Sequence, residues 1–444
     1  MSDQDRPERG TDRRTFLTRS AAVLGAGALG GGAAIVRENA DAQGTGASGE
    51  PSSGEEWAVS QAQLAQGESF DGYHQAGILT PRPAQATFAA LDSVAPDRVT
   101  LQVALAALSN RARELAIGGP IPEVMTGPPP ALLEPDAPPL DSGILGPVNE
   151  PDGLTVTISF GASLFDGRYG LAARRPRELV RMPTFPVDDL DPSQSHGDLL
   201  LQICAHQRDT VTHTLRELLR TVRGALQLRW MVDGFSGAAR GPTPHSSNRN
   251  LFAFRDGTAN PPTDDAKLMD RLVWAGPGEP AWAAGGTYQV VRVIRMHVEF
   301  WDRVGLAEQQ NMIGRTRSSG APLGGTEEFE DPRYDLDPRG KRIPLTAHIR
   351  LANPRTAATE DQRILRRGFN FARGFDAAGA LDQGLIFVAF NQSPSRQFRT
   401  VQDRLLEEPM NDYITPVGGG YFFAPPGCRG EGDTVGSGLF APAA

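Results

Sequence analysis

Cysteine is nearly absent: the chain of 444 residues has two, Cys204 and Cys428. Two thiols cannot build a disulfide scaffold, and no C-x-x-C-H segment occurs that could hold a prosthetic group through thioether bonds. Two separate thiols are expected, with a single disulfide as the alternative. Positive charge in runs is also missing. Lys and Arg number 44 against 53 Asp and Glu, for a formal net charge of -9. A phosphate-binding surface needs clustered cations, so no nucleic-acid partner is expected. Long apolar runs are lacking too. The run Ala21–Val36 has 16 residues, mostly Ala and Gly, short of the roughly 20 needed to cross a bilayer. What the chain has in excess is glycine (50) and proline (36), which predicts long ordered loops between apolar segments.

The first 42 residues read as an address. Asp12-Arg13-Arg14-Thr15-Phe16-Leu17 precedes the weak apolar run, and Ala40-Asp41-Ala42 follows it as an A-x-A-like cleavage site. The arrangement is that of a signal peptide, and adjacent arginines followed by x-Phe-Leu resemble the twin-arginine type. The expectation is export by the twin-arginine machinery to the periplasm or the exterior, leaving 402 residues. That route carries folded proteins, which suits a chain that must acquire a cofactor before it leaves the cytoplasm.

Residues 43–56, rich in Gly, Ser and Glu, read as a flexible lead-in. The next stretch, 57–245, offers strand, helix, strand, strand, helix, strand. Ala84–Leu91 is the first strand, and Leu101, Leu105, Leu108 and Leu115 share one helical face. Leu154–Phe160 alternates as a half-buried strand, Asp198–Ala205 is an apolar strand, Arg208–Val222 a helix and Ala225–Val232 a strand. The Pro/Gly-rich loop Gly118–Gly153 is unusually long. Residues 246–444 repeat the order with larger insertions: strand Thr287–Val298, helix Phe300–Gly314, strand Leu385–Phe390, helix Ser395–Glu407 and strand Gly420–Ala424. The second strand of this unit has no clear signal. The order implies an α+β protein of two ferredoxin-like domains with antiparallel sheets.

Three segments hold residues with chemical potential. In Asn248–Pro261, the run Asp256-Gly257-Thr258-Ala259-Asn260-Pro261 makes a tight turn that aims a carboxylate, although Asp-Gly is a common turn dipeptide. Pro344–Arg355 carries His348 between apolar residues, followed by Arg350 and Arg355. Ile364–Phe369 places Arg366 18 residues beyond the histidine. An imidazole beside guanidinium groups is what a haem pocket uses, the first for the iron and the second for propionates or developing negative charge. The same residues are also compatible with a core histidine and solvated arginines.

Together the three segments resemble the dye-decolorizing peroxidase family, in the exported branch of deferrochelatase/peroxidases. The family's distal G-x-x-D-G is matched at Ala253–Gly257, its proximal histidine block by Ala347-His348-Ile349-Arg350-Leu351-Ala352-Asn353-Pro354-Arg355, and its distal arginine block by Ile364-Leu365-Arg366-Arg367-Gly368. Further similar stretches are Gly72–Ile78, Asp198–Gln202, Trp301-Asp302-Arg303, Gly314-Arg315 and Gly418–Phe423. The resemblance implies one haem b per subunit, bound in the second domain, with His348 as proximal iron ligand. It implies Asp256 as distal acid/base and Arg366 as distal guanidinium. Gly257, Thr258 and Ala259 would line the distal side, and Asn353, Pro354 and Arg355 would meet the haem edge. An acceptor for the other ring nitrogen of His348 is expected but has no sequence signal.

One position departs from the pattern. The first glycine of G-x-x-D-G is Ala253, and a Cβ at positive φ would cost roughly 1–2 kcal/mol. The resemblance implies reduction of hydrogen peroxide with small phenolic or dye-like donors. A second reading is deferrochelation, the removal of iron from haem with the porphyrin intact, serving iron-uptake partners. A third is a haem carrier without catalysis. A homodimer is the association considered. His74, His196, His206, His213, His245 and His297 show no metal-ligand spacing. Trp274, Trp282, Trp301, Tyr288 and Tyr421 read as core aromatics, with a relay of oxidising equivalents as the alternative. Gly427–Gly438 reads as a docked loop rather than a cargo-targeting tail.

Overall fold

Leu199–Ala205 has no exposed member, and its side chains divide between two cores. Leu199, Leu201, Ile203 and Ala205 pack in one cluster with helical leucines. Leu200 and Cys204 pack in another with Phe369, Phe371, Val291 and Phe422 from the second half of the chain. Because successive strand residues point to opposite faces, this sheet is covered on both sides, which is why the strand reads as an apolar run broken at Gln202 alone. The computed structural model describes residues 64–121, 139–237 and 246–441. The twin-arginine segment, the lead-in 43–56, residues 122–138 of the long loop, and His245 lie outside the described residues.

The first unit has strands β1 (Gln85–Ser93), β2 (Thr155–Gly161), β3 (Leu199–Ala205) and β4 (Leu226–Phe235), with helices α1 (Arg98–Ile117) and α2 (Arg208–Thr221). Pairing runs β2-β3-β1-β4, all antiparallel. Helix α1 starts where Asp97 accepts the Thr100 amide at 2.8 Å, and it buries Leu101, Leu105, Leu108 and Leu115, the face marked by their spacing.

The second unit has β5 (Thr287–Met296), helix α3 (Leu306–Ile313), helix α4 (His348–Ala352), β6 (Phe369–Phe375), β7 (Leu381–Asn391), helix α5 (Thr400–Arg404) and β8 (Ile414–Ala424). Its strands pair as β6-β7-β5-β8, again antiparallel and the same permutation as in the first unit. Both units are therefore ferredoxin-like. The strand without a sequence signal is β6. The expected helix Phe300–Gly314 is broken at Gly305, which caps α3. The expected helix Ser395–Glu407 opens with a five-residue π turn and its α-helical part ends at Arg404.

The two sheets are joined at both edges. Phe422 and Phe423 of β8 pair with Gly161 and Phe160 of β2, and Phe235 of β4 pairs with Asn370 of β6. The chain of pairings closes on itself, so the expected separate sheets form one ring of strands around the shared aromatic core. Helices α1 and α2 cover the outer face of the first sheet. On the outer face of the second, Arg292, Ile294 and Met296 of β5 and Leu385 and Phe387 of β7 line a cavity instead. Cys204 and Cys428 are free and buried. Residues 427–438 dock on α1: Arg113 donates to the Asp433 carbonyl at 2.7 Å, and Ser109 Oγ accepts the Val435 amide at 3.1 Å. Among the described residues no helix is long and apolar enough to cross a membrane.

Candidate active site

The cavity on the outer face of the second sheet encloses about 1650 Å³, part of it open to solvent. It is lined by His348, Asp256, Arg366, Gly257, Thr258, Ala259, Asn353 and Arg355. Of the residues singled out in the sequence, Pro354 alone is not in its lining.

His348 is the first residue of α4, a helix of five residues too short to hold itself. Arg404 of α5 donates to the Leu351 carbonyl at 2.8 Å and the Ala352 carbonyl at 3.2 Å, satisfying the helix's C-terminal end. Arg350 reaches back to the Ile343 and Asp337 carbonyls at 3.0 and 2.8 Å. The ring donates Nδ1–H to Oε2 of Glu408 at 2.7 Å. Glu408 is buried, with 4% of its surface exposed. Burial alone would disfavour the imidazolium, but the Glu408 carboxylate outweighs it and raises the ring above its ordinary value. With Nδ1 committed, Nε2 makes no hydrogen bond among the described residues and is the ring nitrogen left free for a ligand.

Asp256 pairs with Arg366, Oδ1 to Nη2 at 2.7 Å. The turn that aims it is stitched together at three places. The Asp256 amide donates to the Asn248 carbonyl at 2.8 Å. Gly257 takes φ of +99°, where a side chain would be strained. Asn260 then donates to the Arg366 carbonyl at 2.7 Å and accepts the Arg366 amide at 3.1 Å. The carboxylate and its arginine are thus held by one turn gripping one short strand, Leu365–Arg366, which itself pairs with β7. Burial pushes the Asp256 carboxyl up, but Arg366, then Arg82, His348 and an Asn250 hydrogen bond pull it below the usual range. Ala253 sits at φ of +67°, so the substitution does place a Cβ in the left-handed region, and the turn forms regardless.

The rest of the cavity fits a flat apolar cofactor bearing carboxylates. Ile294, Met296, Ile313, Leu385 and Phe387 supply apolar walls. Arg315 and Arg355 line it with positive charge, and Tyr334 contributes a buried hydroxyl that has no partner among the described residues. Burial, opposed by Arg355, Arg315 and Arg350, pushes that phenol up to about 12, so it stays a donor at neutral pH. A nitrogen ligand, apolar walls and donors for carboxylates are the donor set that haem needs.

The comparisons with known proteins agree over both units. The family model "Dyp-type peroxidase, N-terminal" matches residues 75–236, and "Dyp-type peroxidase, C-terminal" matches 247–429. A deferrochelatase of Escherichia coli O6:K15:H31 (strain 536 / UPEC) is 48% identical over 375 residues, which cover 84% of this chain and 87% of that protein. The chain belongs to the Dyp-type peroxidase family. A deferrochelatase of Yersinia pestis bv. Antiqua (strain Nepal516) is 46% identical over 373 residues, 83% of this chain and 84% of the relative. Among solved structures, a DyP-type peroxidase from Streptomyces coelicolor has a TM-score of 0.75 at 34% identity, covering 87% of this chain and all of that one. One from Cellulomonas bogoriensis has a TM-score of 0.74 at 34% identity, covering 86% and 99%. The chain is accordingly a peroxidase, and its cofactor is haem.

Several residues of this peroxidase's site carried no sequence signal. Glu408, Arg404 and Arg82 all act on residues distant in sequence, and only the fold brings them there. Another buried polar group lies in the first unit, where ligand atoms of Asp141, His213 and Glu217 lie within 4.8 Å of one another. Arg111 Nη2 reaches both carboxylates at 3.2 Å, and Arg220 reaches Glu217 at 3.1 Å. Guanidinium groups occupy the place a cation would take, so the cluster is an ion-pair network tying the long loop to α1 and α2.

Proposed function

We propose that the chain is an exported haem b peroxidase, one haem per subunit, that reduces hydrogen peroxide with electrons from phenolic or dye-like donors. The observation that carries this reading is the 2.7 Å pairing of Asp256 with Arg366, in one cavity with a histidine held by a buried glutamate. Haem, when bound, supplies the redox-active iron at which peroxide is reduced and donors are oxidised. His348 would hold that iron through Nε2, while Glu408 fixes the tautomer and enriches the ring in electron density. Gly257, Thr258 and Ala259 would line the distal side, Asn353 and Arg355 the edge, with Arg315 and Tyr334 further donors for carboxylates.

Reduction of one peroxide consumes two protons and two donor electrons and yields two waters. Asp256 begins ionised, because Arg366 and Arg82 hold its carboxyl low. It takes one proton from hydrogen peroxide and returns it to the departing oxygen, so a single carboxylate serves as base and then acid. Arg366 meets the negative charge that gathers on that oxygen, a fixed charge in a site of low dielectric.

A second reading, deferrochelation, is favoured by the names of relatives 46–48% identical to this chain. It would add iron-uptake partners to the chain's associations. A haem carrier without catalysis leaves Asp256 and Arg366 without a task. The Arg13-Arg14 pair and the Ala40-Asp41-Ala42 site support export by the twin-arginine machinery to the periplasm or exterior. The test is peroxide-dependent oxidation of a bulky dye by the haem-loaded protein, beside His348→Ala. We expect oxidation by the first, and a folded chain that binds haem weakly or not at all for the second. A variant that keeps stoichiometric haem with an unchanged histidine-type spectrum would remove His348 from the iron.

A further inference from the structure

Two arginines of opposite units grip each other's backbone beside the distal pair. Arg82, in the loop before β1, donates through Nη1 to the carbonyl of Gly368, and its guanidinium lies 5.6 Å from the centre of the Phe369 ring. In return, Arg367 donates through Nη1 to the carbonyl of Thr80 and through Nη2 to that of Pro81 at 3.3 Å. The two contacts form a reciprocal clasp between residues 80–82 of the first unit and residues 367–369 of the second. Arg366, which carries the distal guanidinium, is the residue immediately before the clasped segment.

The loop that supplies Arg82 is itself anchored. Gln75 donates to the Ile158 and Pro425 carbonyls at 2.9 Å each and accepts the Ile158 amide at 2.8 Å. Gln202 donates to the Gly77 carbonyl at 2.9 Å, and Thr80 Oγ1 accepts the Gly77 amide at 3.0 Å. The Gly72–Ile78 stretch and the Leu199–Gln202 stretch therefore serve to fix where Thr80, Pro81 and Arg82 stand. Apart from Val187, the cavity is lined by residues 250–416. Through the clasp, the first unit acts on a site it scarcely touches.

Charge points the same way. The groups facing Asp256 are Arg366, Arg82 and His348, and those around Arg82 are Asp256, Arg366, Arg367 and Cys204. Arg367 is buried with 6% exposed, and its hydrogen bonds go to the Thr80 and Pro81 carbonyl oxygens rather than to a carboxylate. Asp256 is the carboxylate toward which both Arg366 and Arg82 direct their charge.

We propose that Arg82 is a positioning residue of the distal site. With Arg367 it fastens the Arg366–Phe369 segment to the first unit, and it sets a second positive charge toward Asp256. The inference rests on the peroxidase reading above and deepens it.

The test uses the full haem-loaded chain and the variants Arg82→Gln and Arg82→Lys. An opposite charge close to a carboxylate lowers its pKa by about 1–3 units. Removing that charge should move the acid limb of peroxide-dependent dye oxidation up by about one pH unit, and Arg82→Lys should leave the limb in place. A second readout does not depend on activity. The urea midpoint lost on Arg82→Gln should be larger with Asp256 present than in an Asp256→Asn background, because the two charges are coupled. An unmoved acid limb together with equal midpoint losses in both backgrounds would reduce Arg82 to a packing residue and overturn the proposal. If Arg82→Gln does not fold, Arg82→Lys decides. A rate several-fold below wild type with an unmoved acid limb supports the clasp, and a wild-type rate overturns it. A wild-type protein that oxidises no dye would defeat the peroxidase reading alone, with the urea comparison still deciding the role of Arg82.

Discussion

Glu408 Oε2 lies 2.7 Å from Nδ1 of His348, a residue 60 positions earlier, and only one of the two is easily reached by solvent: 25% of the histidine side chain is exposed against 2% of the glutamate. A buried carboxylate with a single strong partner holds that partner's proton firmly, so the imidazole becomes the electron-rich donor that an oxidised iron needs. Outer partners of metal-bound histidines typically contribute about 10–100-fold in affinity or activity. Glu408→Gln should therefore keep the fold, lower peroxide-dependent activity by about that factor and raise the reduction potential of the haem-loaded protein. Spectroelectrochemical titration checks it, and an unchanged potential would show that the carboxylate serves packing alone.

The distal pair predicts a pH dependence with a definite sign. Asp256 is held below the ordinary carboxylate range, so the base form persists into acid and the stability that the pairing adds is present above that range. Both are lost as pH falls through the lowered value. Arg366→Leu removes the nearest opposing charge, the carboxyl rises, and the acid limb of activity should move upward. Asp256→Asn should instead lower the rate at every pH by about 10²–10⁴-fold, the usual contribution of a general base. Steady-state rates from pH 3 to 8 separate the two (roughly the span in which a carboxylate of this kind titrates), and overlapping profiles would take the pair out of the mechanism.

How far the residues announced this arrangement depends on whether their partners are local. Strand β3 was legible because six of its seven residues are apolar, with Gln202 the one polar member, and α1 because its leucines repeat on one face. Strand β6 was not, because Asn370 and Arg373 interrupt its apolar residues, and the Asn370 amide donates to the distant Arg249 carbonyl at 3.0 Å. His348, Asp256 and Arg366 stood out through their neighbours in sequence. Glu408, Arg404 and Arg82 sit in stretches of ordinary composition, and what they do is fixed by chain closure across 50 to more than 150 residues. The closure of two sheets into one ring rests on three residue pairs at the edges, too few for any periodicity to register.

Ala253 offers a test in the opposite direction, a substitution expected to stabilise. Its φ of +67° carries a Cβ penalty of roughly 1–2 kcal/mol, against which glycine costs about 0.4–1 kcal/mol in unfolded-state entropy. The difference leaves Ala253→Gly more stable by up to about 1.6 kcal/mol. Urea unfolding reads this directly. A loss of stability would mean that the alanine methyl makes a contact worth more than the strain.

The export reading predicts that Arg13→Lys with Arg14→Lys leaves the precursor in the cytoplasm, folded and already loaded with haem. Cell fractionation with a haem assay checks it. Export at normal yield would show the arginine pair to be incidental and would point to a different route.

The last prediction separates the two enzymatic readings, which make opposite demands on the same cavity. Peroxide reduction needs a carboxylate that alternates between base and acid, a fixed guanidinium beside it and a haem that remains whole. Removal of iron needs protons delivered to the pyrrole nitrogens and an acceptor for the metal, with no oxygen–oxygen bond to break. Asp256 satisfies the first demand, because Arg366 at 2.7 Å and the Asn260 bonds orient it toward one task. Its lowered pKa works against the second, since a carboxyl held ionised is a poor proton donor at neutral pH. In the first unit, the Asp141–His213–Glu217 cluster, whose donor set could take iron, is already neutralised by Arg111 and Arg220. The expected result is robust oxidation of a bulky dye at mildly acidic pH and little free porphyrin. Incubating the protein with excess haem and no peroxide, and following protoporphyrin by its fluorescence, puts this to measurement. Strong porphyrin release with negligible dye oxidation would reverse the order and make iron acquisition the main activity of the chain.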